Sequence, residues 1–387
     1  MVNQAVKNHK SPYLRAVKFS VEKVDNAQQA AEFLAFPKRL YANDANYIMP
    51  LDIDIENVFN RSYNPAFKLG DCERWLLKEG GKTVGRIAGF YVFVEKLQMK
   101  NGGCGFFECI DSQEAANQLF DTAKAWLIEK GCQFMDGPIN FGDRDSFWGL
   151  MVDGFASPSY RENYNFPYYK ALFENYGFKF EIGQTTSLIE ENMFNFERFS
   201  KLASRVFNNP SYTFENFKTS KIDKYAEDFV TIYNKAWAFH EDFVPMTKEK
   251  ILLRMEEMKP IVVEDLNIFA YHDGVPVGFY LTVLDVNQIF KHVNGKMNWI
   301  GKLKFLYYKR KIKRIRGIIF GVVPEFHNLG IEVALIMKFR EALLRGGQFT
   351  QNELAWIGDF NPKMLSMFES MGAQPIKRHI TYRYTFN

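Results

Sequence analysis

The chain has 387 residues, 47% hydrophobic and 24% charged, with a formal net charge of +4. That length accommodates two domains of ordinary size, and the composition is that of a globular protein. No run approaches ~18 uninterrupted apolar residues, so no transmembrane helix or stable membrane insertion is expected, and the charge excess is too small to argue for nucleic acid.

Met1 to Tyr13 is polar and lacks the apolar core of a signal peptide, so it reads as a disordered lead-in (1–13). Asn26 to Asn43 has helical apolar spacing, broken locally by Pro37, and Tyr47 to Phe67 reads as an irregular packed loop. Glu73 to Leu77 and Thr83 to Val94 are strand-like and joined by Glu79-Gly80-Gly81-Lys82, a hairpin signal. Gly105 to Ile110 is a third strand. Asp111 or Ser112 can cap a helix from Gln113 to Lys130, which stops at Gly131. Gln133 to Pro138 is strand and turn, Pro167 to Tyr176 a short helix, and Phe178 to Ile189 closes as strands.

The same order then repeats. Ile222 to Trp237 and Thr247 to Met258 are helical; Pro260 to Ala270 and Val275 to Leu284 are strands turning on Asp273-Gly274. Ile318 to Val323 is an apolar strand ended by Pro324, and Ile331 to Leu344 is a helix stopped by Gly346-Gly347. Leu354 to Gly358 is a strand, Asn361 to Met371 a helix, and Ile376 to Phe386 the last strand. Both halves alternate strands and helices, which predicts an α/β (α+β) fold with a mixed sheet, duplicated within the chain. The expected domains are 14–195 and 210–387, divided in Glu190 to Pro210.

The four cysteines form no C-x-x-C pair, so reduced thiols and a cytoplasmic setting are expected. The six histidines show no metal-ligand spacing, so no metal is expected. Between Val323 and Ile331 a strand feeds a glycine-containing turn at a helix N-terminus. Backbone N–H groups and the positive end of the helix dipole converge there, an arrangement suited to an anion.

His327-Asn328-Leu329-Gly330-Ile331-Glu332 resembles the pyrophosphate loop of the GNAT acyltransferase superfamily, [Q/R]-x-x-G-x-[G/A], matching at the middle glycine and departing at both ends. Asn361 to Ala373 fits the superfamily's motif after the fifth strand, and Tyr169 to Phe178 echoes it. Gly137 to Asn140, Gly149 to Phe155, Phe166 to Tyr169 and Leu284 to Gln288 more narrowly resemble a bacterial family of tandem GNAT-like proteins, for which no substrate carries over.

The resemblance implies a tandem GNAT-like fold. It also implies acetyl-CoA or another acyl-CoA in a V-shaped gap between the fourth and fifth strands of the second half. The backbone of Val322 and Val323 would pair with the pantetheine arm, the loop His327, Asn328, Leu329, Gly330 and Ile331 would hold phosphate, and Asn361 would contact the cofactor. Glu332 stands where the family has Gly or Ala. Facing the pyrophosphate it would repel by about 4 kcal/mol at ~4 Å, whereas turned outward it complements the helix dipole. The family's catalytic tyrosine position holds Phe368, and Phe173 in the first half. Candidate bases are Glu325, Asp285, His240 and Glu241.

The first half's junction Ile110 to Glu114 has no glycine and reads as ordinary capping, so that half is expected to wall a cleft. Gly142 to Ser146 and Arg161 to Tyr164 read as an ordered lip on it. Lys302 to Arg316 carries eight basic residues among apolar ones: a solvated surface, or a surface for an anion such as the CoA 3′-phosphate, an acidic substrate or a lipid head group. The leading expectation is an acyl-CoA-dependent N-acyltransferase acting on a small amine through the second half. The alternative is a non-catalytic ligand-binding protein, and a Fem-like peptidyl transferase ranks last because no tRNA-binding arm is evident.

Overall fold

A computed structural model describes residues 19–142, 144–190, 196–239 and 245–386. Strand β1 (Phe19–Lys23) leads into α1 (Ala27–Leu40), whose start is fixed by the Asn26 side chain accepting from the Gln29 N–H. The helix runs through Pro37. Proline offers no N–H to the carbonyl four residues back, and the Arg86 guanidinium fills that place, donating to the Phe33 carbonyl at 2.6 Å. The expected loop after it holds α2 (Asp52–Phe59), with Asp52 and Asp54 complementing the dipole of its first turn, and a 3-10 turn at Pro65–Lys68.

The hairpin of β2 (Gly70–Glu79) and β3 (Lys82–Val94) turns on Gly80 and Gly81, at φ 54° and 81°. Next come β4 (Met99–Cys109) and α3 (Gln113–Glu129), which is capped by Ser112 and buries Ala115, Leu119, Ala123 and Trp126 along one stripe. The half ends with β5 (Phe134–Gly137), β6 (Leu150–Asp153), α4 (Tyr169–Tyr176) and β7 (Lys179–Glu190).

The segment read as a plain boundary contains helix α5 (Phe196–Phe207). It buries Phe199, Ala203 and Val206, one helical face, against the body of the protein. The second half has β8 (Tyr212–Asn216), α6 (Ile222–Ala236), α7 (Lys248–Met258), β9 (Ile268–His272), β10 (Val275–Leu284) and the short α8 (Asn287–Phe290). Then follow α9 (Trp299–Lys309), β11 (Arg314–Val322) and α10 (Ile331–Gly346). The strand expected over Leu354 to Gly358 is instead two short pieces, β12 (Gln351–Glu353) and β13 (Ile357–Gly358). The chain closes with α11 (Pro362–Ser370) and β14 (Gln374–Thr385).

Among the described residues the strands form one fourteen-stranded sheet, ordered β1-β2-β3-β4-β5-β14-β7-β12-β11-β10-β9-β8, with β6 beside β14 and β13 beside β7. The fold is thus the mixed α/β sheet expected. Its centre is an exchange. The last strand of the second half, β14, lies between β5 and β7 of the first, and β7 runs on to pair with β12 and β13 of the second. Neither half is a closed unit. A small apolar cluster, including Ile189, Phe199, Ile336, Leu354, Ile357 and Phe368, packs across the junction.

Candidate functional site

Each half opens its sheet at the same place. In the second half β11 runs parallel to β12 at only three positions, Arg314 to Arg316 against Gln351 to Glu353. Beyond them β13 turns to β7, pairing Ile357 with Thr185, so β11 keeps a strand partner only on its β10 side. In the first half β4 meets β5 at a single pair, Gly103 and Asp136. Past it β4 bulges: Phe106 takes φ 50°, and the register against β3 shifts between Arg86 and Ala88.

The second-half opening leads to the turn expected to hold phosphate. Asn328 and Gly330 adopt φ 63° and 92°, and α10 starts with no side-chain cap, so its first N–H groups lack a side-chain acceptor. His327, Asn328 and Leu329 are exposed while Ile331 is fully buried. Glu332 sits half-buried in the first turn without an ion-pair partner among the described residues. Val322 and Val323 are buried and already bonded: His327 Nε2 donates to the Val322 carbonyl at 2.8 Å, and the Val323 N–H donates to Val277 at 2.9 Å. Asn361 uses its side chain to cap α11, accepting from the Met364 N–H.

Beside this opening, α10 and α11 flank an apolar, solvent-open cleft lined by Phe320, Ile336, Phe339, Leu354 and Phe368 among others. Phe368 therefore forms a cleft wall where the family's motif has a tyrosine. Asn352 supplies a polar point in the wall. Its amide donates to the Tyr280 hydroxyl at 2.6 Å, and its own Oδ1 has no partner.

The candidate bases do not converge. Glu325 is exposed at the end of β11. Asp285 lies by the other end, where its N–H donates to the Arg314 carbonyl, roughly 26 Å away along the strand. It is also only 1% exposed and gripped by Arg314 at 2.8 Å, so no substrate reaches it. His240 and Glu241 lie outside the described residues.

The first-half opening holds a part-polar pocket lined by Tyr47, Arg86, Glu108, Glu162, Tyr164 and Tyr169 among others. Of the two stretches expected to form a lip, Arg161 to Tyr164 contributes Glu162, Asn163 and Tyr164 to the lining, whereas Gly142 to Ser146 contributes none and only the following Phe147 reaches it. Glu108 is buried and accepts from Tyr41 and Tyr169 hydroxyls at 2.6 and 2.8 Å, with Arg86 at 3.4 Å. Burial raises its carboxyl above the ordinary range despite Arg86 and the two hydroxyls.

From Glu162 a buried chain of charges crosses into the second half. Lys377 contacts both Glu162 and Glu353, the latter at 3.0 Å; Arg314 bridges Glu353 at 3.4 Å and Asp285 at 2.8 Å. Burial alone would raise Glu162, but Lys377, His379 and Arg316 overcome it and hold the carboxyl at about 2. Burial keeps His379 below its ordinary value, and its Nε2 donates to the Asn163 carbonyl at 3.1 Å. None of these groups was singled out for this role from sequence. Glu108 did leave a trace, a carboxylate inside the apolar run Phe106-Phe107-Glu108-Cys109-Ile110.

A solved tandem GNAT protein from the clavulanic acid biosynthesis pathway is similar in overall fold. The TM-score is 0.58 at 13% identity, over 95% of this chain and 98% of that one. The chain has the tandem GNAT fold. A GCN5-related glucosamine N-acetyltransferase region of a fungal multi-domain GH3 β-N-acetylglucosaminidase aligns with a TM-score of 0.57 at 14% identity, over 97% of this chain and 39% of that one. Protein YghO of Escherichia coli strain K12 is 26% identical over 92% of this chain and 93% of its own length. The bacterial ceramide synthase of Caulobacter vibrioides is 24% identical over 94% and 96%. No family model matches the chain.

Proposed function

We propose that the protein is an acyltransferase that takes its acyl group from an acyl-CoA in the second-half opening and passes it to an amine. The observation that carries this is the divergence of β11 from β13 directly beside an apolar cleft and an uncapped helix N-terminus. In this reading the loop His327 to Ile331 holds the pyrophosphate on backbone N–H groups, Val322 and Val323 flank the pantetheine arm, and Asn361 lies across the opening. For the arm to pair with the Val322 carbonyl, the His327 ring swings away from it.

A fatty acyl chain suits the cleft better than acetyl, because each methylene taken from water contributes about 0.8 kcal/mol and the walls are almost wholly apolar. The similarity to a bacterial ceramide synthase supports the same reading, with the amine of a long-chain amino alcohol as acceptor. The amine lone pair attacks the thioester carbonyl. A C–N bond forms, the C–S bond breaks, and the ammonium proton leaves to a base, for which exposed Glu325, just past the end of β11, is the candidate. With Phe368 at the tyrosine position, the thiolate takes its proton from water, an acceptable route for a thiol whose ordinary pKa is about 8.5.

Calorimetry with acetyl-CoA and palmitoyl-CoA tests this. The wild type is expected to bind palmitoyl-CoA at least about tenfold more tightly, and Ile336→Trp, which fills the cleft, to lose that preference while keeping CoA affinity. Absence of binding at millimolar concentrations of either ligand would sink the proposal. The closed His327–Val322 contact favours a second reading, a ligand-binding protein without turnover. Steady release of free CoA thiol in the presence of a long-chain amino alcohol decides against it.

A further inference from the structure

Helix α9 presents its apolar side to water. Trp299, Ile300, Leu303, Leu306 and Tyr307 are 71, 44, 58, 65 and 59% exposed. At 100° per residue these five fall within one arc of roughly 120°. Gly301, Phe305 and Tyr308 lie on the opposite side and hold the helix to the protein, where Tyr308 stacks on His292 at 3.9 Å.

Lysines flank the apolar arc on both edges, Lys304 on one and Lys302 and Lys309 on the other. Arg310, Lys311 and Lys313 continue the positive charge beyond the helix end. No Asp or Glu occurs between Asp285 and Glu325. Among the described residues none of these six cations is in an ion pair; Lys304, Lys309 and Lys311 donate instead to His292, Pro260 and Tyr307 oxygens. Exposed tryptophan, tyrosine and leucine bordered by unneutralised lysine is the pattern of a helix lying in the head-group layer of an anionic bilayer. An acidic protein partner would use the cations but leaves five exposed apolar side chains unexplained.

We infer that α9 docks the protein onto membranes containing anionic phospholipid, lying parallel to the surface with the arc from Trp299 to Tyr307 immersed. With eleven residues the helix is about 16 Å long, too short to cross a bilayer, so the contact is peripheral. The chemistry recognised is lipid phosphate beside acyl chains. This inference stands apart from acyl-CoA binding, and its test contains no acyl donor.

The full chain is sedimented with vesicles of phosphatidylcholine alone and of roughly three parts phosphatidylcholine to one of phosphatidylglycerol. Binding is expected to the anionic vesicles, to fall with added salt, and to be accompanied by a blue shift of tryptophan emission that Trp299→Phe removes. Leu303→Ser with Leu306→Ser, both at exposed positions, is expected to weaken partitioning at least about tenfold. Lys302→Glu with Arg310→Glu should abolish the preference for anionic lipid. Equal sedimentation of wild type and the leucine variant, or no binding to anionic vesicles, overturns the inference. Binding to soluble polyglutamate without binding to vesicles overturns it in favour of an acidic protein partner.

Discussion

Glu162 keeps its charge where burial alone disfavours it, because Lys377 and its neighbours hold the carboxyl at about 2. A depressed carboxylate contributes stability that is complete above the ordinary value near 4.5 and is lost as pH falls from there towards 2. Asp285 and Glu108 are raised by burial and act with the opposite sign: their charged forms oppose folding at neutral pH, and protonation relieves them. Glu162→Gln is therefore expected to be less stable than wild type at neutral pH, the gap closing below pH 4.5; urea unfolding at a series of pH values measures it. Lys377→Met strands two buried carboxylates and is expected to cost about 3–5 kcal/mol at neutral pH by the same measurement. A variant as stable as wild type would mean the chain of charges is not a mutual restraint.

At the level of elements, turn chemistry and apolar periodicity were plain in the residues. Gly80-Gly81 and Asp273-Gly274 marked both hairpins, Ser112 marked the start of α3, and Gly347 ended α10 at φ 62°. Of the helices that escaped, two did so for contrary reasons. In α2 the flanking Asn and Pro residues masked eight helical residues, and in α5 charged positions diluted a stripe of three buried ones. The site was legible only where the chemistry is local. The loop around Gly330 could be read as a unit, whereas Lys377 and Glu162 meet across 215 residues of chain, a juxtaposition that no window of sequence contains.

The same loop shows how α5 matters. A side-chain carbon at Gly330 would lie 3.3 Å from Val206 of that helix, at φ 92°. Gly330→Ala is expected to cost about 1–2 kcal/mol in thermal unfolding and to weaken any acyl-CoA binding. An unchanged melting temperature would show that the turn tolerates a side chain and that α5 yields.

Across the whole molecule the two halves share one sheet, and each depends on the other for its inner edge. A fragment of residues 1–210 contains every element of the first half, yet leaves β5 and β7 without the strand between them. It is expected to lack a cooperative unfolding transition by circular dichroism. Adding a separately made 211–387 fragment should restore one, and a fragment that melts cooperatively alone would refute the dependence. The ribosome faces the same arrangement in time. Once β7 has been made, 195 further residues must follow before Thr385 completes β14, about 10–40 s of synthesis at ordinary speeds. Through that interval the short edge of β5 and the long edge of β7 wait for their neighbour. A crowded polysome can then lend the matching strand from an adjacent nascent chain, so slowed translation or scarce chaperones should give intertwined dimers before any loss of the folded monomer's own stability.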